Sequence, residues 1–367
     1  MSRGVAGAWW GTAVLFLVHG IVVGTWVSRI PAIQAQLHLQ NGVLGLTLLS
    51  SAIGAVSTMP VTGSLVSRYG SKKVTSISSV LFCTAVVLMA CAVSAITLAA
   101  ALFVFGAVAA AMDVSMNAQG VEVENALRKP TMSRFHGMFS VGAMAGAAAG
   151  GVAAAHDVVP VAHFAVSGLL NLIAVLAVIR LLLDTHAVAV QRHERIHWAK
   201  LPPMLIAISG VGFCILLSEG AMADWTAVYL RQILRAGAGT AAAGYAAFSA
   251  VMAVFRFLGD LITARLGPYR TVRSGCLVAA LGLVIALSMP TPVSAIPGFA
   301  LTGVGLSVII PLVFGSGGRV KSISPGAGIA AVTGVGYVGF IVGPPTIGFA
   351  SQVITLRFAL GVVVACC

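Results

Sequence analysis

Charge is what this chain lacks. Only 8% of its 367 residues are Asp, Glu, Lys or Arg, where water-soluble domains carry about a quarter. With 59% of residues hydrophobic, the apolar excess is too large for one soluble core, so the solvent must be lipid. Cysteine is sparse too. There are six, none in a CxxC pair, and all but Cys366 and Cys367 lie inside apolar runs. That excludes a disulfide framework or cysteine metal site and leaves small buried hydrophobes. A P-loop is missing, because Gly315-Ser316-Gly317-Gly318 has no following lysine. No cleavable signal is evident either: the first apolar run continues to Val27 without a well-placed small-residue cleavage site.

What charge there is has one sign, a formal net +12. Nucleic-acid binders gather basic residues on one folded face. Here they come in small groups between every second pair of apolar runs, the positive-inside pattern of a multi-pass protein. With the N-terminus in the cytoplasm, 16 of the 21 Lys and Arg fall on the cytoplasmic side, from Arg3 through Arg68 to Lys321. Only Arg29, Arg231, Arg235 and Arg357 fall outside, and Arg256 alone lies within the membrane. No nucleic-acid partner is expected.

A membrane helix needs roughly 20 apolar residues to cross ~30 Å of hydrocarbon, so the length suits about eleven or twelve spans. The first is expected over about Ala8–Val27, anchored by Trp9 and Trp10 and stopped at Ser28-Arg29-Ile30-Pro31. The next five cover about Gly42–Val66, Val74–Val93, Ile96–Val123, Thr131–Ala155 and Val159–Leu183. After the polar stretch from Asp184 to Lys200 come spans over about Leu201–Leu230, Thr240–Ala264, Thr271–Met289, Ala295–Gly315 and Gly326–Ala350, this last one ending near Gly343-Pro344-Pro345. A twelfth begins near Leu356 with about 12 residues, ~18 Å of helix, and reads as truncated or incomplete. The expected units are therefore a six-helix bundle over 1–184, a cytoplasmic linker over 185–200 and a second bundle over 201–367.

The stretch Asp113–Gly146 organises the chain. It sets an acid, an amide and a histidine inside or beside two apolar segments. The same frame returns 197 residues later without the charges: Gly106, Gly137, Gly142 and Gly146 fall opposite Gly303, Gly334, Gly339 and Gly343. His19-Gly20 lies 200 before Glu219-Gly220, and Trp26 lies 199 before Trp225. Six helices per repeat preserve orientation, so the halves are expected to be parallel repeats.

After the second span, Gly63-Ser64-Leu65-Val66-Ser67-Arg68-Tyr69-Gly70-Ser71-Lys72-Lys73 is similar to the G-x-L-x-D-R-x-G-R-K signature of the major facilitator superfamily. Ser67 stands in place of the family's aspartate, which there helps lock the cytoplasmic gate, and Ser71 in place of a basic residue. Trp26 to Ile33, Asn117, His136-Gly137, Glu219-Gly220, Asp224-Trp225, Arg256-Phe257 and Gly343-Pro344-Pro345 resemble the fucose-permease-like branch of bacterial inner-membrane proteins. The resemblance implies an all-α integral membrane protein with two parallel six-helix bundles. It also implies a monomeric secondary transporter in the inner membrane, with alternating access to a midplane site lined by spans 1, 4, 7 and 10. Its partners would be a small solute, protons and the bilayer, with no cofactor and no enzymatic activity. Proton-coupled uptake of a sugar-like molecule is the expected task and efflux the alternative. The fifth span lacks the proline of the family's antiporter signature, which favours uptake.

Ionisable residues inside a membrane mark pathways by default. Asp113 and Asn117 share a helix face at i and i+4, reading as a proton site and a hydroxyl ligand or as a bond to a neighbouring helix. Glu219 beside Gly220 is the better cavity residue and a second proton-coupling site, whereas Asp224, about 140° further round the helix, reads equally as a rim cap. Arg256 and Asp260 at i and i+4 form either a self-contained pair or a switching one. The family fold implies that spans 5 and 8 face each other, which would bring His136, a possible proton residue, close to Arg256. His19, Trp26, Trp225 and Arg256 are further expected substrate contacts, and His19 reads equally as a packing residue. Arg68, Gly70, Arg265 and Asp260 are gate residues. His193-Glu194-Arg195-Ile196-His197 matches H-E-x-x-H, but it lies in a short basic linker without a third ligand. It is the only hook for a membrane zinc enzyme or sensor.

Overall fold

The structure, a computed structural model, describes residues 3–129, 131–184, 201–320 and 323–367. The first half holds α1 (Arg3–Gln36), α2 (Asn41–Tyr69), α3 (Ser71–Ala90), α4 (Ala95–Leu127), α5 (Met132–Ala155) and α6 (Pro160–Val178). The second holds α7 (Pro203–Gln232), α8 (Ala238–Leu266), α9 (Pro268–Ser288), α10 (Pro292–Leu306), α11 (Ile309–Gly317), α12 (Pro325–Ile354), α13 (Leu356–Ala359) and α14 (Gly361–Cys366). Among the described residues, 11 helices are long and apolar enough to cross a membrane, with α10 and α11 counted as one span. No strand occurs among them. The expected linker, 185–200, lies outside the described residues.

Three boundaries differ from expectation, each at a proline. Proline removes one N–H and crowds the carbonyl four residues back. Pro31 lies inside α1 rather than ending it. Ile30 and Ile33 are fully buried there, and Arg29 Nη2 donates to the Val158 carbonyl at 2.5 Å, so packing holds the extra turns in place. Pro344 and Pro345 likewise sit inside α12, where Gly45 of α2 approaches the Pro344 backbone closely. The tenth span is instead broken between Leu306 and Ile309. Pro311 stands four residues after Ser307 and disrupts the ladder there, and the Ser307 hydroxyl donates back to the Val304 carbonyl at 2.7 Å.

The duplication is visible in backbone contacts. Gly106 of α4 lies against the backbone of Ser51 in α2, and Gly303 of α10 lies against the backbone of Phe248 in α8. Both members of the second pair are 197 residues beyond the first. Gly142 meets Leu17 and Ile21 of α1, and Gly339, again 197 on, meets Phe213 and Leu217 of α7. A side chain would hold these helices apart, so small residues set the spacing. The turns repeat as well: Gly70 has φ 81° and ψ 153°, and Gly267 has φ 76° and ψ 157°.

Thr355, between α12 and α13, takes the same conformation with φ 77° and ψ 152°. A β-branched residue is strained there, at about 1–3 kcal/mol. Thr355→Gly is therefore expected to raise the melting temperature of the purified protein, whereas Gly70→Ala and Gly267→Ala lower it. Equal melting temperatures for Thr355→Gly and the parent would show that no strain is stored in this turn.

The bundle has two distinct ends. Arg68, Lys72, Lys73, Arg265 and Arg270 mark the basic end. Gln34, Gln40, Asn41, Gln232 and Gln352 mark the amide end. The halves meet along α5 and α8, along α2 and α12, and more lightly along α1 and α7.

Candidate functional site

Between the halves, near the middle of the long helices, lies a cavity of about 260 Å³. Its wall comes from α1, α2, α4, α7 and α12. From α1 it takes His19, Val23, Trp26 and Val27, the face that a helical period brings together. Asp113 enters from α4, Asp224 from α7, and Tyr337 and Phe340 from α12. Among the described residues no part of α10 or α11 lines it, contrary to the expected set of spans. The tenth span is drawn away by tight packing on α9, where Gly298 and Gly305 meet Gly282 and Gly275.

Asp113 is held by the amide one turn on. Asn117 Nδ2 donates to Asp113 Oδ1 at 3.0 Å and to the Asp113 carbonyl at 2.8 Å. Asn117 itself is not in the cavity wall, so it orients the acid rather than lining the space. His19 is 8% exposed and packs on Phe82 and Phe139, with neither ring nitrogen hydrogen-bonded.

The α7 residues divide differently from the sequence reading. Gly220, Ala223 and Asp224 face the cavity, and Glu219 and Trp225 fall on opposite flanks of that face. Asp224 is therefore a wall residue, not a rim cap. Glu219 instead meets Arg256 Nη2 of α8 at 3.4 Å, with side chains 18% and 12% exposed. Trp225 is fully buried in the core, away from the cavity, and its Nε1–H has no partner. Arg256 does not pair with Asp260. Its Nη1 crosses to the first half and donates to Ser140 Oγ on α5 at 2.8 Å.

A second cavity of about 240 Å³ lies toward the basic end, lined from α5, α8, α11 and the break just before α11. His136, Arg256 and Asp260 share its wall, so α5 and α8 do face one another here. Arg68 and Arg265 are exposed. The Arg68 guanidinium sits 5.2 Å from the centre of the Tyr69 ring. Gly70 makes the turn to α3. At the other end, uncharged amides join the halves. Asn41 Nδ2 donates to Gln232 Oε1 at 3.1 Å, Gln232 Nε2 to Gln34 Oε1 at 3.1 Å, and Gln352 Nε2 to Gln40 Oε1 at 3.1 Å.

The sequence reading missed Ser140, Tyr337, Phe340 and the amides, and it undervalued Asp224. For Asp224 the signal was present: the default that intramembrane acids face a path applies to it as fully as to Glu219. His193 and His197 lie outside the described residues. Among the described residues, no group of three His, Cys, Asp or Glu side chains could hold a metal.

The sequence profile of the Major Facilitator Superfamily matches residues 8–344. The chain belongs to the Major Facilitator Superfamily. It is 34% identical over 354 residues to an uncharacterized MFS-type transporter of Yersinia pestis, covering 96% of this chain and 91% of the relative. It is 30% identical over 362 residues to membrane protein MosC of Rhizobium meliloti, covering 96% and 88%. Among solved structures, the nucleoside transporter NupG matches with a TM-score of 0.76 at 13% identity, over 97% of this chain and 96% of that one. A bacterial homologue of the lysosomal transporter Spinster, inward-facing and unoccupied, matches with a TM-score of 0.72 at 14% identity, over 96% and 84%. As a Major Facilitator Superfamily protein the chain is a multi-pass membrane transporter, and the superfamily's members are transporters rather than enzymes.

Proposed function

We propose that this chain carries a small polar solute across the bacterial inner membrane by proton-coupled uptake, working as a monomer with its basic end in the cytoplasm. The observation that carries this reading is the mid-depth cavity, which brings Asp113 and Asp224 from the two halves to one space. Alternating access needs a binding site shared by both halves, so that their rocking exposes it to each side in turn. Hydrogen bonds between amide side chains join the halves at the end opposite the basic one, which on this reading is the outer side. Arg68, Gly70, Arg265 and Asp260 form the cytoplasmic gate. No aspartate stands at position 67, so this gate closes without the family's usual charge pair.

Asp113 carries the coupled proton. His136 and the Glu219–Arg256 pair relay the state of the cavity to the α5–α8 interface, through the Arg256–Ser140 bond. A thermal-shift screen of sugars, nucleosides and drugs finds a ligand, because binding to the folded state stabilises it. With that solute in proteoliposomes, Asp113→Asn is expected to abolish accumulation driven by a proton gradient while sparing counterflow exchange. Full uphill accumulation by Asp113→Asn removes Asp113 from the coupling mechanism.

A further inference from the structure

The central cavity has an unbalanced charge. Asp113 and Asp224 line it from opposite halves, and no Lys or Arg does. Among the described residues neither carboxylate forms an ion pair, and Asp224 makes no side-chain hydrogen bond at all. Asn117 occupies one oxygen of Asp113. Arg256, the nearest basic side chain along the α7–α8 contact, is committed to Glu219 and Ser140. Two acids in a low-dielectric space repel each other, and a counter-cation between them relieves that repulsion.

The rest of the wall points the same way. His19, nine-tenths buried, adds its imidazole to this wall. Trp26, Phe105, Tyr337 and Phe340 supply aromatic surface. Aromatic faces attract cations, by about 2 kcal/mol or more when water is excluded. The neutral hydrogen-bonding side chains of the wall are His19, Trp26, Ser51 and Tyr337. A neutral sugar could hydrogen-bond to these groups but would leave the two acids without a counter-charge.

We infer that the central cavity takes a small organic cation, a molecule bearing a protonated amine that sits between Asp113 and Asp224 with its body against the aromatic side chains. This rests on the transport reading above and narrows its polar solute. An amino sugar supplies the counter-charge that the corresponding neutral sugar lacks.

Matched pairs of probes test this on the full chain in lipid nanodiscs: glucosamine against glucose, cyclohexylamine against cyclohexanol, and benzyltrimethylammonium against benzyl alcohol. Calorimetric titration is expected to show at least one cation binding ten-fold or more tightly than its neutral partner. Asp224→Asn weakens that cation ten-fold or more, with the neutral partner unchanged. Asp184→Asn, on the surface beside Lys72, leaves both unchanged. Melting without ligand verifies that each variant is folded, and if Asp224→Asn does not fold, Asp224→Glu, which keeps the charge, is expected to retain the preference. A neutral member binding as well as its cation, or no cation binding to folded protein, overturns the inference. Counterflow in proteoliposomes separates the two readings. Cation binding without counterflow rejects transport and keeps the site. Counterflow of glucose without any cation binding rejects the site and keeps transport.

Discussion

Arg256→Met is expected to destabilise the folded protein by about 3–5 kcal/mol, the usual cost of leaving one charge of a buried pair uncompensated. The pair is mostly buried, its guanidinium and carboxylate 12% and 18% exposed, so solvent cannot take over the missing partner. Glu219 would face α8 with no counter-charge, and Ser140 would lose the donor that joins the halves. Adding Glu219→Gln to Arg256→Met is expected to restore more than half of the loss, because replacing both members by neutral groups of similar volume removes the stranded charge. Chemical unfolding of the four proteins in a double-mutant cycle measures this. An additive double variant would mean that the two side chains do not interact, and the bridge from α7 through α8 to α5 would go with it.

The second large effect comes from the smallest residues. Gly106→Leu and Gly303→Leu are each expected to abolish recovery of monodisperse protein. At either position an added side chain lands on the backbone of the neighbouring helix, Ser51 in one half and Phe248 in the other. Backbone cannot rotate away as a side chain can, so α4 would have to leave α2, and α10 leave α8. Overpacking of this kind costs well beyond the 1–3 kcal/mol of a side-chain clash. Gly63→Ala and Gly210→Ala are the matched controls, since nothing lies within 4 Å of a Cβ at either site. Both are expected to be neutral or slightly stabilising, because Ala is the better helix former. Size-exclusion profiles after solubilisation read the outcome. Normal yield of Gly106→Leu would show that α2 and α4 can separate without loss of the fold.

Much of the fold was legible because it depends on local and repeating features. Hydropathy over about 20 residues marks a span wherever the chain later packs, and basic loops mark alternate ends. The 197-residue offset between Gly106 and Gly303 recurs as one backbone contact in each half, since a duplicated sequence must satisfy the same steric constraint twice. The prolines were harder to read. Pro31 was expected to stop α1 and does not, whereas Pro311 does break its span. Proline removes a bond from the helix at either place, but only the surrounding packing decides whether the chain continues.

For the site, the residue types were present in the sequence and their partners were not. Asp113 with Asn117 follows from one helical turn, so the sequence contained it. Arg256 has two acids within reach on paper, Asp260 one turn along α8 and Glu219 on α7, and spacing favours the wrong one. The rotation of α7 decides that Glu219 turns to α8, that Asp224 turns to the cavity, and that Trp225 goes into the core. A helical wheel gives the angles between these three residues but not the zero of the angle. By itself, the sequence determined a lipid-embedded pair of like bundles with a few ionisable groups on inward faces, because burial in hydrocarbon penalises anything else. Which of those groups meet across the halves was decided only by tertiary packing, because close glycine contacts fix the rotation of each helix.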